Sequence, residues 1–241
     1  MLNFLGIGAQ KCGTTWIFSQ LENHPQIRFP AGKEVHFWDL QRERGTSWWI
    51  ELFETEFAGA KQGEITPAYA LLDGSTIAEI YHLAPQVRLF YSIRNPIARA
   101  WSSALMALTR AEMTLDEASD QWFFDHFNSA GSRDRGDYLR CMENWLSVFP
   151  ADALKLILLE DIVSDPRAVL VALAAHLGIH PDPFLKAELR DLATPIFEGA
   201  VADLRPALLD HLRTLYAPSI RRLSDRLGRD LNSWIDWNGC R

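Results

Sequence analysis

Cysteine is scarce in this 241-residue chain: Cys12, Cys141 and Cys240 are far apart, odd in number and outside any C-x-x-C pair or Cys/His cluster. That usage encodes neither a disulfide framework nor a zinc site, and it points to a reducing, cytoplasmic setting with no metal. Also missing is an uncharged apolar run of the roughly 18 residues that a membrane helix needs. The apolar start from Met1 to Ala9 has neither the basic region nor the cleavage site of a secretory signal. Positive charge is the minority sign, 24 Lys and Arg against 31 Asp and Glu for a net charge of −7, which argues against general nucleic-acid binding. Repeats and low-complexity segments are absent. What is present, 48% hydrophobic and 11% aromatic residues, describes a globular protein whose length suits one domain over residues 1–241.

Three apolar runs read as buried strands: Asn3 to Gly8, Val87 to Ile93 and Leu154 to Leu159. Each leads into a helical pattern, from Thr14 to Glu22, from just after Arg94-Asn95-Pro96, and from Pro166 to Leu177 with a stop at Gly178. Strands alternating with helices predict an α/β, three-layer, P-loop-like fold with a mostly parallel central sheet flanked by helices. Further helices are expected near 115–127 and 138–149, with one or two over 204–227 interrupted at Pro218. The irregular stretches, Phe29 to Arg44, Gly59 to Ser75, Ser129 to Asp137 and Pro181 to Val201, are where a doubly wound fold places its ligand crevice.

The strongest local signal is Gly8-Ala9-Gln10-Lys11-Cys12-Gly13-Thr14-Thr15, set between the first strand and the first helix. Backbone N–H groups in such a turn, with the positive end of the helix, form a concave anion site. A nucleoside-triphosphate loop would continue after its second glycine with Lys and then Ser or Thr, but Thr14 stands where that lysine belongs. Lys11 inside the loop supplies a point charge for one tetrahedral anion, without the usual triphosphate and magnesium equipment. The second strand exits through Arg94, and Ser102 follows two helical turns into the next helix, an arrangement suited to a second phosphate.

These residues resemble the sulfotransferases that use 3′-phosphoadenosine 5′-phosphosulfate (PAPS). GAQKCGTTW resembles that family's 5′-phosphosulfate loop, and YSIRNPIARAWSSAL resembles its 3′-phosphate segment. Lys33 to Asp39, Gly63 to Tyr69, Gly136-Asp137-Tyr138 and Glu160-Asp161 to Asp165-Pro166 look most like the branch containing the heparan-sulfate N- and 3-O-sulfotransferases and bacterial relatives. The resemblance implies that Lys11, Cys12, Gly13, Thr14 and Thr15 hold the 5′-phosphosulfate. It implies likewise that Arg94 and Ser102 hold the 3′-phosphate, and that Trp16 stacks on adenine. It places Glu34 as the base that takes the acceptor's proton, with His36 as the alternative; in an extended segment both would face the same side. Lys11 would stabilise the leaving oxygen as the product 3′-phosphoadenosine 5′-phosphate (PAP) departs, and no metal is required.

Two departures stand out. Ile65 occupies the place of a lysine that heparan-sulfate members carry, with Lys61 or Lys33 as possible substitutes, and the family's third cofactor loop is unrecognisable between Pro181 and Val201. If Trp38, Trp48, Trp49, Tyr69 and Tyr138 face inward, they give an aromatic cleft wall. With no basic run beyond Arg133, Arg135 and Arg140, a small-molecule, lipid-like or weakly charged carbohydrate acceptor is expected rather than a polyanion. The alternatives are a P-loop nucleotide kinase or NTPase, and a noncatalytic nucleotide-binding protein.

Overall fold

A computed structural model describes residues 1–55, 58–188, 191–192 and 203–239. Cys240 lies outside them, as do residues 193–201 of the stretch that lacks a recognisable third cofactor loop. The chain groups into two compact units, Met1–Ile93 with Met142–Phe197, and Arg94–Cys141 with Glu198–Arg241.

The first unit is built on a five-stranded sheet, β1 (Leu2–Gly8), β2 (Ile27–Arg28), β3 (Lys61–Ile65), β4 (Arg88–Ile93) and β5 (Leu154–Leu158), in the order β2-β3-β1-β4-β5. Every pairing is parallel, with Gly6 of β1 opposite Ile65 on one side and Phe90 on the other. Parallel pairing sends all the strands' carboxyl ends to one edge, where loops can converge on a ligand. The near-continuous apolar strands follow from burial on both faces. On one face Phe4, Ile65, Phe90 and Ile157 pack against Ile17 and Leu21 of α1 (Thr14–Glu22) and Leu170 and Leu173 of α10 (Pro166–Leu177), all nearly or fully buried. Each such side chain contributes about 1.5–3 kcal/mol of burial.

Two strands escaped the sequence reading for a shared reason. β2 has only two residues, and β3 reads KQGEI, in which buried Gln62, Gly63 and Glu64 interrupt the apolar signal. Gln62 is partly satisfied: its backbone N–H donates to Asn3 Oδ1 at 2.8 Å and its side-chain amide nitrogen to Thr55 O at 2.6 Å, while its Oε1 finds no partner among the described residues. The stretch from Phe29 to Arg44 likewise holds the short α2 (Phe37–Leu40), followed by α3 (Thr46–Glu51). A 3₁₀ turn at Pro67–Leu71 and α4 (Gly74–Leu83) follow β3.

The second unit is helical: α5 (Pro96–Arg110), α6 (Asp120–Asn128), α7 (Ala130–Gly136), the start of α8 (Tyr138–Leu146), α12 (Pro206–Leu227) and α13 (Asn232–Ile235). The first unit's later helices are α9 (Leu159–Ser164), α10 and α11 (Asp182–Lys186). Ser129 to Asp137, expected to be irregular, folds as α7 because the Ser129 hydroxyl accepts from the Ser132 N–H and caps it. Buried Arg99 donates to Ser132 O at 2.8 Å and to the Tyr216 hydroxyl at 3.4 Å, tying α5 to α7 and α12. α12 continues through Pro218 without the expected break, because Leu212, Tyr216, Ile220 and Leu223 bury one face across it. Among the described residues, no helix is long and apolar enough to cross a membrane.

Candidate active site

The loop from Ala9 to Gly13 joins β1 to α1 and is pinned to the end of β4. The Ala9 N–H donates to Ser92 O at 2.6 Å, and the Ser92 hydroxyl donates to Cys12 O. Lys11 (φ 69°) and Gly13 (φ 83°) are both left-handed, a conformation that turns neighbouring N–H groups inward as a nest. Gly13 caps α1 from that conformation and, being glycine, has no side chain to bond the first turn. The positive end of this nine-residue helix thus faces the loop. The left-handed φ favours glycine at 13; a Cβ there would sit 2.9 Å from Leu159 Cδ1, the movable end of a side chain. Lys11 is half-buried, Thr15 exposed and Thr14 buried. Such a turn could hold one tetrahedral group, as the phosphate of a phosphosulfate would be, with a lysine beside it.

The segment after β2 brings Lys33, Glu34, His36 and Asp39 together. Lys33 Nζ donates to Glu34 Oε1, His36 Nε2 lies 3.4 Å from Glu34 Oε2, and His36 Nδ1 lies 2.9 Å from Asp39 Oδ2. The extended backbone expected here is absent: Glu34 (φ 65°) and His36 (φ 56°) are left-handed, which costs on the order of 1–3 kcal/mol per residue. That bend, and not strand alternation, makes the two side chains meet. Burial pushes the Glu34 carboxyl up, but the Lys33 hydrogen bond and charge, and then those of His36, outweigh it and hold the group below its ordinary value. Asp39, on the first turn of α2, went unrecognised in the sequence; its signal was the i, i+3 spacing from His36.

The base segment is anchored to the sheet next to the phosphate loop. The Glu34 N–H donates to Ile65 O at 3.1 Å, and the next residue of that chain, Thr66, donates its N–H to Gly6 O of β1 at 3.0 Å. Beneath it lies a carboxyl that sequence reading did not single out. Glu64 is fully buried and accepts from Trp49 Nε1 at 2.8 Å, Thr66 Oγ1 at 3.0 Å and the Tyr69 hydroxyl at 3.3 Å. Burial pushes its pKa up to about 7 despite those donors, and the charge of Asp39 adds to the rise. The Tyr69 hydroxyl is pushed up as well, by burial and then by the Glu64 charge.

Other expected residues fall elsewhere. Trp16 belongs to the core with 7% exposure, and its indole N–H donates to Leu192 O at 2.9 Å, so a stacking role rests on the resemblance alone. Arg94 directly follows the last residue of β4, and Ser102 is half-buried on α5; both belong to the second unit. The conditional aromatic wall is mostly core: Trp38, Trp49 and Tyr69 are buried in the first unit, where the Trp38 and Trp49 rings meet edge-on at 5.0 Å, Tyr138 is buried in the second, and Trp48 alone of the five is half-buried, under Arg44 at 4.5 Å. Ile65 is also buried. Lys61 begins β3, about 13 Å of extended chain before Ile65, at the edge opposite the loops.

A parallel sheet with an anion loop after its central strand defines a P-loop-like α/β protein, and comparison with known proteins narrows that class. A family model described as the sulfotransferase domain matches residues 3–194, and the chain belongs to that family. It is 28% identical over 176 residues to the mouse protein named heparan sulfate glucosamine 3-O-sulfotransferase 6, covering 72% of this chain and 51% of that one. The chain thus spans about half the length of the curated relatives it matches. Among solved structures, a sulfotransferase from Alicyclobacillus acidocaldarius is 26% identical with a TM-score of 0.75, covering 97% of this chain and 98% of that one. Mouse SULT7A1 complexed with PAP shares the fold at 15% identity and a TM-score of 0.57, covering 91% of this chain and 85% of its own.

Proposed function

We propose that this protein transfers a sulfuryl group from PAPS to a hydroxyl or amine of a carbohydrate, small-molecule or lipid-like acceptor, releasing PAP. One observation carries the reading: Glu34, in contact with His36, is hydrogen-bonded onto Ile65 while the adjoining Thr66 is bonded onto Gly6, two residues before the phosphate loop begins. A proton acceptor and an anion cradle thus reach one edge of the sheet from β2 and β1, the strands on either side of β3, two strand spacings or roughly 10 Å apart. The printed names of the curated relatives favour a sugar hydroxyl as the acceptor. The family match, which runs through segments of both compact units, supports treating residues 1–241 as one functional domain.

When bound, PAPS supplies an activated sulfur whose bridging oxygen leaves with the electron pair as the acceptor oxygen or nitrogen attacks in line. Glu34 takes the acceptor's proton, and His36, oriented by Asp39, holds that carboxylate in place or substitutes for it. Lys11 and the N–H groups of Gly13, Thr14 and Thr15 stabilise the charge growing on the leaving oxygen and the equatorial oxygens. Cys12 contributes backbone to the same cradle. Arg94 and Ser102 bind the 3′-phosphate, with Trp16 behind the adenine. Lys33, at the loop edge of the sheet where Lys61 is not, takes the place of the lysine that Ile65 displaces. The charge is met by lysine and main-chain donors, so the chemistry calls for no metal, and the sparse, unclustered cysteines support a cytoplasmic setting.

Calorimetric titration of PAP against Mg-ATP, on wild type and Arg94→Ala, tests this. Selective PAP binding that weakens about 10- to 100-fold in the variant is expected, the loss typical of a charge-assisted hydrogen bond. A preference for Mg-ATP would return the chain to the nucleotide kinases, and tight PAP binding without any transfer would make it a noncatalytic nucleotide-binding protein.

A further inference from the structure

α2 has a construction problem that the rest of the site solves. It has four residues, it starts from His36 in a left-handed conformation, and no side chain of the N-cap residue bonds its first turn. Phe37 and Trp38 are buried at 0% and 2% exposure, so their N–H groups cannot turn to water. Both point at one atom: the Tyr69 hydroxyl oxygen accepts from Phe37 N at 3.0 Å and from Trp38 N at 3.4 Å. A backbone N–H can only donate, so the hydroxyl's own proton must go elsewhere. The carboxylate acceptors it meets are the Glu64 oxygens, at 3.3 and 3.4 Å, with the Thr66 hydroxyl, itself donating to Glu64, beside them. The direction of the chain is therefore fixed: Phe37 N–H to Tyr69 O–H to Glu64.

We propose that Tyr69, with Glu64 behind it, is a positioning residue for the proton-accepting pair: by capping α2 from the 3₁₀ turn after β3, its hydroxyl holds His36 where the imidazole meets Glu34 and Asp39. The inference rests on the sulfotransferase reading for its catalytic meaning, though not for its geometry. His36 lies between two anchors, the Glu34 N–H on Ile65 O and the Phe37 N–H on Tyr69, with two left-handed residues in the four-residue span. Remove the second anchor and the bend loses what over-determines it. A misplacement of about 1 Å in such a group can cost about 10²-fold in rate.

The test compares wild type with Tyr69→Phe and Glu64→Gln in the full chain. Three readouts are taken: the His36 ring signals by NMR, amide exchange at Phe37 and Trp38, and transfer from PAPS to phenol, glucose or n-octanol as hydroxyl probes. Tyr69→Phe is expected to shift and broaden the His36 signals and to speed the two amides by about tenfold or more, with β1 amides unchanged. At saturating PAPS it should lower turnover by about 10²-fold with little change in the KM for PAPS or in PAP affinity. Glu64→Gln still offers an oxygen to the hydroxyl and should keep the wild-type His36 signals. Unchanged His36 signals and exchange in Tyr69→Phe, or unchanged turnover per PAP-binding site, would overturn the proposal. A wild type that neither binds PAP nor transfers sulfuryl groups defeats the sulfotransferase reading instead, while the NMR and exchange results still decide the positioning role. Should Tyr69→Phe fail to fold, 3-fluorotyrosine at position 69 weakens the oxygen as an acceptor without changing the packing; exchange at Phe37 that does not rise would then count against the idea.

Discussion

The loop after β1 and the segment after β2 both deliver charged groups to the same edge of the sheet, and they are held there by different means. The first is fixed through its main chain: glycine supplies the left-handed cap at 13, and bonds to Ser92 pin both ends of the turn. The second puts left-handed backbone at Glu34 and His36, as the first does at Lys11, and adds to its one main-chain anchor on Ile65 O a buried side chain, the Tyr69 hydroxyl with Glu64 behind it. A backbone cradle suits an anion whose shape never changes, since N–H groups fixed by the fold need no reorganisation when charge develops. A group that must gain and lose a proton needs partners that set its affinity for that proton, and at Glu34 those partners are the side chains of Lys33 and His36. On the proposed reading, the loop after β1 serves binding and charge stabilisation, and the segment after β2 serves proton transfer.

The sharpest way to break that division is to remove one charged group from each side. Glu34→Gln should lower turnover by about 10²- to 10⁴-fold, the range for a general base, while PAP binding measured by calorimetry stays near wild type. Lys11→Ala should lower turnover by about 10²- to 10³-fold and weaken PAP binding with it, since the same charge meets ground state and transition state. If Glu34→Gln leaves turnover intact, the proton acceptor is His36 and the roles within the segment are reversed.

A second prediction concerns the buried support and is smaller. The Glu64 carboxyl is raised from its ordinary value to about 7 in the folded protein, so between those two values the native state binds a proton that the unfolded chain has released. Stability from this group is therefore present at low pH and is lost as pH rises through about 7, a span worth on the order of a few kcal/mol. Glu64→Gln should flatten the fall in melting temperature between about pH 5 and pH 8. A wild-type slope that persists in the variant would place the titrating group elsewhere.

The same contrast explains what could be read from the chain. The phosphate loop is contiguous, its glycine spacing follows from main-chain geometry, and strands such as RLFYSI announce themselves by unbroken apolar character. β3 does not, because Gln62 and Glu64 are polar residues held by partners from outside the strand, Asn3, Thr55, Trp49 and Tyr69, which the strand's own pattern does not reveal. Glu34 and His36 were legible as candidates, but not the reason they meet; that depends on backbone angles which residue types seldom adopt and sequence period therefore misreads. Tyr69 looked like cleft wall or core from its type alone, and only the two N–H groups aimed at its oxygen reveal its use.

The smallest predicted effect probes how the segment after β2 sets its own proton affinity. Burial alone would raise Glu34, and Lys33 is the leading group that reverses this, ahead of His36. A general base works only when ionised, so its activity is present above the folded pKa and lost as pH falls through it. With Lys33 in place, the acid limb of turnover should therefore lie below the usual range of a glutamate. Lys33→Met removes the charge and the hydrogen bond while keeping the apolar stem, so the limb should move to higher pH, with the rate at the alkaline plateau reduced only as far as Lys33 also meets the transferred group. The side chain of Glu34 is 41% exposed, so solvent screens the pair and the shift will be modest, and higher salt should shrink the difference between wild type and variant. A limb that stays fixed while the plateau drops would assign Lys33 wholly to the sulfuryl group and leave His36 as the residue that keeps Glu34 ionised.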